Sequence, residues 1–197
     1  MEPRAPGRIR PIAAFVLPFL FFIACEPAAK TISKPMKYDA SRTDIRTRGG
    51  ITRIGQEPLS GIVYALGTNG DTELVIPYEN GREHGMAKAF YPNGRLKEIR
   101  YFVHGKKEGR HYGWYENGAR RYEYFFSADE YNGPYREWLP DGRLLLSLNF
   151  LAGHENGLQQ TWFEDGTVKS NYIIKNGRRY GLLGTKNCVN VADSVPR

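Results

Sequence analysis

Two cysteines, four histidines and 21 carboxylates are the side chains here that could attack a substrate, move a proton or hold a metal. Their spacing assembles none of these chemistries. His84, His104, His111 and His154 fall at different phases of the glycine pattern that runs through the chain, so no ladder of ligands is expected. His104 stands where a turn favours Asn, and the histidines read as surface or turn residues rather than ligands. Glu116, Asp141 and Asp165 lie in or beside Asn-Gly and Asp-Gly dipeptides, where turn chemistry accounts for them. There is no serine–histidine–aspartate arrangement with a nucleophile elbow, no phosphate loop and no His-Glu-x-x-His motif. The expectation is a protein that is not an enzyme, with no cofactor and no metal.

Cysteine is limited to Cys25 and Cys188. If Cys25 is modified, Cys188 is the only free thiol and no internal disulfide can form. An odd thiol in an exported chain pairs between molecules or reacts, and Lys186 nearby would lower its pKa. Small apolar filler beside Val189 and Val191 is the favoured reading, which leaves Cys188 a candidate reactive thiol of lower weight.

The elements that must position any site follow from the glycines. Gly61, Gly85, Gly109, Gly133, Gly157 and Gly181 are each 24 residues apart, and Gly70, Gly94, Gly118, Gly142 and Gly166 keep the same period. Asn69, Asn93, Asn117, Asp141 and Asp165 precede the second series, and Asn-Gly and Asp-Gly mark tight hairpin turns. A second turn falls near Gly81, Gly105, Gly153 and Gly177, with Asp129 in that place in the third unit. Two turns per unit leave two strands of about 7–9 residues. Five full units run from Gly61 to Tyr180 and predict an all-β fold: an elongated antiparallel sheet of consecutive hairpins.

Two aromatic rows follow the leading glycines. Five residues on come Leu66, Phe90, Trp114, Trp138 and Trp162; the next place holds Gly67, Tyr91, Tyr115, Leu139 and Phe163. Alternation along a strand puts the two rows on opposite faces. A two-residue turn would pair Tyr115 with Arg120. A three-residue turn with a glycine bulge would pair Trp114 with Arg120 and set Trp114 on the face of Tyr122 and Tyr124. The second is favoured, because it gathers the tryptophans with alternating residues such as Leu144, Leu146, Leu148 and Phe150. On that reading Phe90, Trp114, Trp138 and Trp162 are core. Tyr91, Tyr115 and Phe163 then form the exposed row and the candidate binding surface.

The unit G-x-x-x-x-[WF]-[YFL]-x-[ND]-G, clearest in GMAKAFYPNGRLKEIRYFVHGKKEG and GLQQTWFEDGTVKSNYIIKNGRRYG, resembles the MORN-repeat variant of the YwqK-like antitoxin-component family. The resemblance covers roughly residues 49–184. It implies an elongated twisted sheet of hairpins and protein partners, including a toxin, but no shared chemistry.

Residues 1–24 read as a signal peptide: Arg4, Arg8 and Arg10 precede a 13-residue apolar run from Ile12 to Ala24, too short for a comfortable span. Phe22-Ile23-Ala24-Cys25 resembles the lipobox of bacterial lipoproteins, with Phe22 a departure from the usual aliphatic residue. Cys25 is then the lipidation site, acyl chains anchor the protein to a membrane, and the localisation is the bacterial cell envelope, facing the periplasm or the surface. An ordinary signal peptide cleaved nearby, or an uncleaved anchor, is the alternative. Loss of residues 1–24 removes three arginines and one glutamate and leaves +5 of the +7 charge. That is mildly basic, interleaved with glutamate, and no nucleic-acid partner is expected.

Residues 25–48 read as a flexible lipid-anchored tether, 49–184 as the repeat domain with GGITRIGQEPLSG capping its start, and 185–197 as a C-terminal cap and tail. The functional expectation is a non-catalytic exported lipoprotein that binds or scaffolds a protein partner in the envelope. The alternatives are a glycan- or lipid-binding protein using an aromatic row, and a thiol or metal protein acting through Cys188. Oligomeric state is left open by the sequence, since an open sheet has edges that invite pairing.

Overall fold

The computed structural model describes residues 34–184. Among them there is no helix; the chain forms strands throughout. Four strands precede the repeats: β1 (Lys37–Asp39), β2 (Ile45–Arg48), β3 (Ile51–Ile54) and β4 (Glu57–Pro58). The first unit holds β5 (Gly61–Leu66), β6 (Thr72–Glu79) and β7 (Arg82–Glu83), and the second β8 (Gly85–Phe90), β9 (Leu96–Val103) and β10 (Lys106–Lys107). The third and fourth contribute β11 (Gly109–Trp114), β12 (Arg120–Ser127), β13 (Glu130–Trp138), β14 (Leu144–Leu151) and β15 (His154–Glu155). The fifth holds β16 (Gly157–Trp162) and β17 (Val168–Lys175), and β18 (Arg178–Leu182) opens a sixth.

These form one long sheet in the order β1-β5-β6-β8-β9-β11-β12-β13-β14-β16-β17-β18, with β7, β10 and β15 as short branches, so the predicted all-β sheet of consecutive hairpins is present. The expected tether differs in its second half. β1 pairs in parallel with β5 and covers that edge of the sheet, and β2 joins β3 and β4 in a separate small sheet. Tyr38 and Asp39 are half-buried in this short strand, and the Ile62 N–H donates to the Met36 carbonyl and the Ala40 N–H to the Tyr64 carbonyl at its two ends.

Both turn types have a local cause. Each Asx residue of the first series accepts the backbone N–H two residues on: Asn69 from Asp71, Asn93 from Arg95, Asn117 from Ala119, Asp141 from Arg143 and Asp165 from Thr167. The glycine that follows closes the turn at positive φ, as at Gly118 (φ 90°), whose N–H donates to the Tyr115 carbonyl. The second series is built from paired left-handed residues, Asn80-Gly81, His104-Gly105, Ala128-Asp129, Ala152-Gly153 and Asn176-Gly177, the two-residue turn that matches strand twist.

Neighbouring units are stitched through these turns. Turn N–H groups of Gly81, Gly105, Asp129 and Gly153 donate to the carbonyls of Leu59, Glu83, Lys107 and Tyr131, each 22 residues earlier. Leu59 therefore stands where a preceding repeat would, and the small sheet of β2, β3 and β4 caps the array. Side chains just before the leading glycines add a second stitch. Ser60, His84, Glu108 and Asn132 accept from the N–H of the turn residue 20 positions later.

The register sorts side chains onto two faces. The buried ones of the long sheet share one face: Val63, Ala87, His111 and Gln159 lie two residues after leading glycines, and Phe102, Phe126 and Ser170 pair in that phase. A stacked tyrosine cluster continues this core face. Tyr122 and Tyr124 lie 4.5 Å apart at 9°, and Tyr124 and Tyr135 lie 4.1 Å apart.

Two buried polar residues repair the ladder. Gln159, with no exposed surface, accepts from the Asn149 N–H through Oε1 and donates to the Asn149 carbonyl through Nε2. His111, 2% exposed, holds the equivalent place and lays Nε2 against both the N–H (3.2 Å) and the carbonyl (2.9 Å) of Tyr101. A buried backbone group left unpaired there would be costly.

Candidate binding face

The tryptophans test the sequence reading most sharply. Trp114 pairs with Arg120, as the three-residue turn requires, and the same pairing recurs as Trp138 with Leu144 and Trp162 with Val168. One step on, Gly113 faces Tyr122, so the register shifts and Arg121 is an extra residue in a bulge. An extra residue reverses the alternation. Phe90, Trp114, Trp138 and Trp162 consequently lie opposite Tyr122 and Tyr124, on the face away from the buried side chains, and all four are half-buried rather than core. Leu144 leaves the apolar alternation with them.

Tyr91 and Tyr115 are half-buried and structurally engaged. Their hydroxyls donate to the carbonyls of Trp114 and Trp138 in the next unit, both at 2.8 Å. Phe163 is 40% exposed. Each ring carries a cation from the bulge position: Lys97 over Tyr91, Arg121 over Tyr115 and Lys169 over Phe163, at 5.6, 5.8 and 5.6 Å. The fourth unit has Leu139 and Leu145 in these two places, apolar on apolar. This row is a hairpin-end lock with one exposed member.

The face that carries the tryptophans is the open one. Leu66, Tyr101, Val103, Leu151, Leu158, Val168 and Ile173 are exposed large hydrophobics, and the register puts every one of them on it. In its middle Arg120 stacks 4.9 Å from the Tyr112 ring and 6.0 Å from Trp114 and Trp138. Glu123 sits among Arg110, Arg120 and Arg136 at 3.6–3.9 Å, leaving two positive charges in excess in that cluster. Toward the first unit the same face has a 380 Å³ groove lined by Lys37, Ile62, Tyr64, Thr72 and Val75. Tyr112, Glu123 and Arg136 were not singled out by sequence, and Arg120 entered only as a strand-pairing partner. The signal was the cation twelve residues after the leading glycine in three of the five units (Lys97, Arg121 and Lys169), which marks the bulge that reverses the faces.

The core-face tyrosines have their hydrogen bonds satisfied within the cluster. Tyr122 donates to Glu98 at 2.9 Å, Tyr124 and Tyr135 both donate to Glu137, and Glu98 pairs with Arg100 at 3.1 Å. Burial raises the pKa of all three phenols, Tyr135 to about 12, so they act as donors at neutral pH. Glu116 accepts a bond from Asn93, and Asp141 and Asp165 serve their turns.

The histidines are less scattered than their phases imply. The rings of His84 and His104 lie with centroids 4.8 Å apart, tilted at 49°, because residues 20 positions apart meet where one unit's turn lies on the next. His84 Nδ1 is 3.4 Å from Glu79. His111 is core rather than a surface or turn residue. Cys25 and Cys188, with the proposed signal peptide and the C-terminal tail, lie outside the described residues. No family model matches the chain, and no curated protein matches it.

Proposed function

We propose that the chain is a non-catalytic exported lipoprotein that acts as a protein-binding or scaffold module at the bacterial envelope. Acyl chains on Cys25 anchor it, and its open face takes an acidic surface of a partner protein. The observation that carries this reading is the gathering of Leu66, Tyr101, Val103, Leu151, Leu158, Val168 and Ile173 on one face of the sheet. Contiguous exposed apolar surface marks interaction sites. Aromatic residues and arginine are the types enriched in the centres of protein interfaces, and Tyr112, Trp114, Trp138 and Arg120 supply them together. The excess arginine there, with a charge of +5 after loss of residues 1–24, selects an acidic partner. The MORN-type resemblance also implies protein partners.

The test is site-specific photo-crosslinking of the full chain in its native envelope, from Leu158 and Ile173 on the open face and from Tyr172 on the core face. One discrete protein adduct from the open-face positions, absent from Tyr172 and diminished at raised salt, is expected. Adducts of glycan or lipid alone would replace this reading with the glycan- or lipid-binding one. Equal protein adducts from both faces would refute the assignment of the open face.

A further inference from the structure

We propose that Glu79, His84 and His104 form a binding site for a late first-row divalent cation, represented by Zn²⁺. Each residue offers one ligand atom, and the three atoms lie within 4.8 Å of one another. Ligands about 2.0–2.1 Å from a tetrahedral zinc stand roughly 3.4 Å apart. The His84 Nδ1–Glu79 Oε2 pair is already at 3.4 Å, and coordination through Nδ1 would replace the long 3.4 Å bond that this atom accepts from the His104 N–H. The site is open, with the His84 and Glu79 side chains 36% and 51% exposed. A bound ion would keep at least one position for water or for a donor from another molecule. Two imidazoles and one carboxylate favour zinc, copper or nickel over calcium or magnesium, which take oxygen ligands.

The repeat supplies its own controls. At the place of His84 the other units carry Ser60, Glu108, Asn132 and Asn156; at the place of His104 they carry Asn80, Ala128, Ala152 and Asn176; at the place of Glu79 they carry Val103, Ser127, Leu151 and Lys175. Only the junction of the first and second units combines three ligating side chains. The turn needs no imidazole. It requires an acceptor for the turn N–H, which Ser60 and Glu108 supply at 2.9 Å where His84 manages 3.4 Å. It also requires a residue at positive φ, which Asn80 and Asn176 adopt at 51° against 50° for His104. Turn chemistry explains an acceptor and an Asn-like residue here, and leaves the coincidence of two histidines and a carboxylate to another cause.

The experiment is calorimetric titration of the metal-stripped full chain with Zn²⁺, beside His104→Asn and His84→Ser, which copy other repeats. We expect one high-affinity Zn²⁺ per chain, weakened at least about tenfold in each variant. The metal-free melting temperatures of the variants should match that of the parent chain. Ca²⁺ should not compete. Unchanged Zn²⁺ affinity in both variants, no Zn²⁺ binding by the parent chain, or competition by equimolar Ca²⁺ would overturn the proposal. Zn²⁺ bound elsewhere, at Cys188 for example, would survive both substitutions and so be told apart.

Discussion

His111 and Gln159 solve the same backbone problem with different chemistry. The amide of Gln159 carries both an acceptor and a donor, whereas one imidazole nitrogen must face both the N–H and the carbonyl of Tyr101. Burial holds the His111 pKa below its ordinary 6.5, and Lys107 and Arg100 lower it further. The folded chain therefore refuses a proton that the unfolded chain accepts. Stability is fully present above about pH 6.5 and falls as the pH drops from there through the depressed folded pKa. His111→Gln should flatten that acid limb relative to the parent chain while changing neutral-pH stability by no more than about 1 kcal/mol. Thermal melts of both proteins from neutral to acid pH check this. A second residue-scale prediction concerns Gly113, which is outside the repeated glycine series. A Cβ there would lie 2.1 Å from the Tyr122 ring, so Gly113→Ala should cost about 1–3 kcal/mol by overpacking, read from denaturant midpoints.

The hairpin is the scale at which sequence was most and least informative. The Asn-Gly and Asp-Gly turns were legible because their chemistry is local: one side chain caps one N–H two residues away. The pairing of Trp114 with Arg120 was legible for the same reason. The face of Trp114 was not, because it depends on Arg121 being extruded in a bulge, and a cation at that place also reads as ordinary surface. The meeting of His84 with His104 escaped a phase argument because adjacent turns overlap at an offset of 20 residues. The hydroxyl bond from Tyr115 to the Trp138 carbonyl links consecutive hairpins. Tyr115→Phe should cost about 0.5–1.5 kcal/mol and leave the sheet intact, measured by chemical denaturation and circular dichroism. A neutral result would mean that the ring and its Arg121 partner, rather than the hydroxyl, hold this junction.

From the cap through the fourth unit, hydrogen bonds recur at the 20- and 22-residue offsets and link successive units, and β14 pairs with β16 to join the fifth. Stability should then be close to a sum of unit and neighbour terms. Deleting residues 109–132, one repeat in register, should give a folded chain of lower melting temperature; loss of cooperative melting would contradict this. Such an array divides its labour between faces, one closed by Val63, Ala87, Phe102, Phe126 and Gln159, the other open. The most direct test of that division is the Leu158→Glu, Ile173→Lys double variant, in which the two cross-strand partners become an ion pair. Its melting temperature and its partner, crosslinked from Leu151 on the same face, should be measured together in the full chain. The account predicts stability within about 1 kcal/mol of the parent chain and loss of the partner. A partner retained at undiminished yield by a variant that still melts like the parent would contradict it.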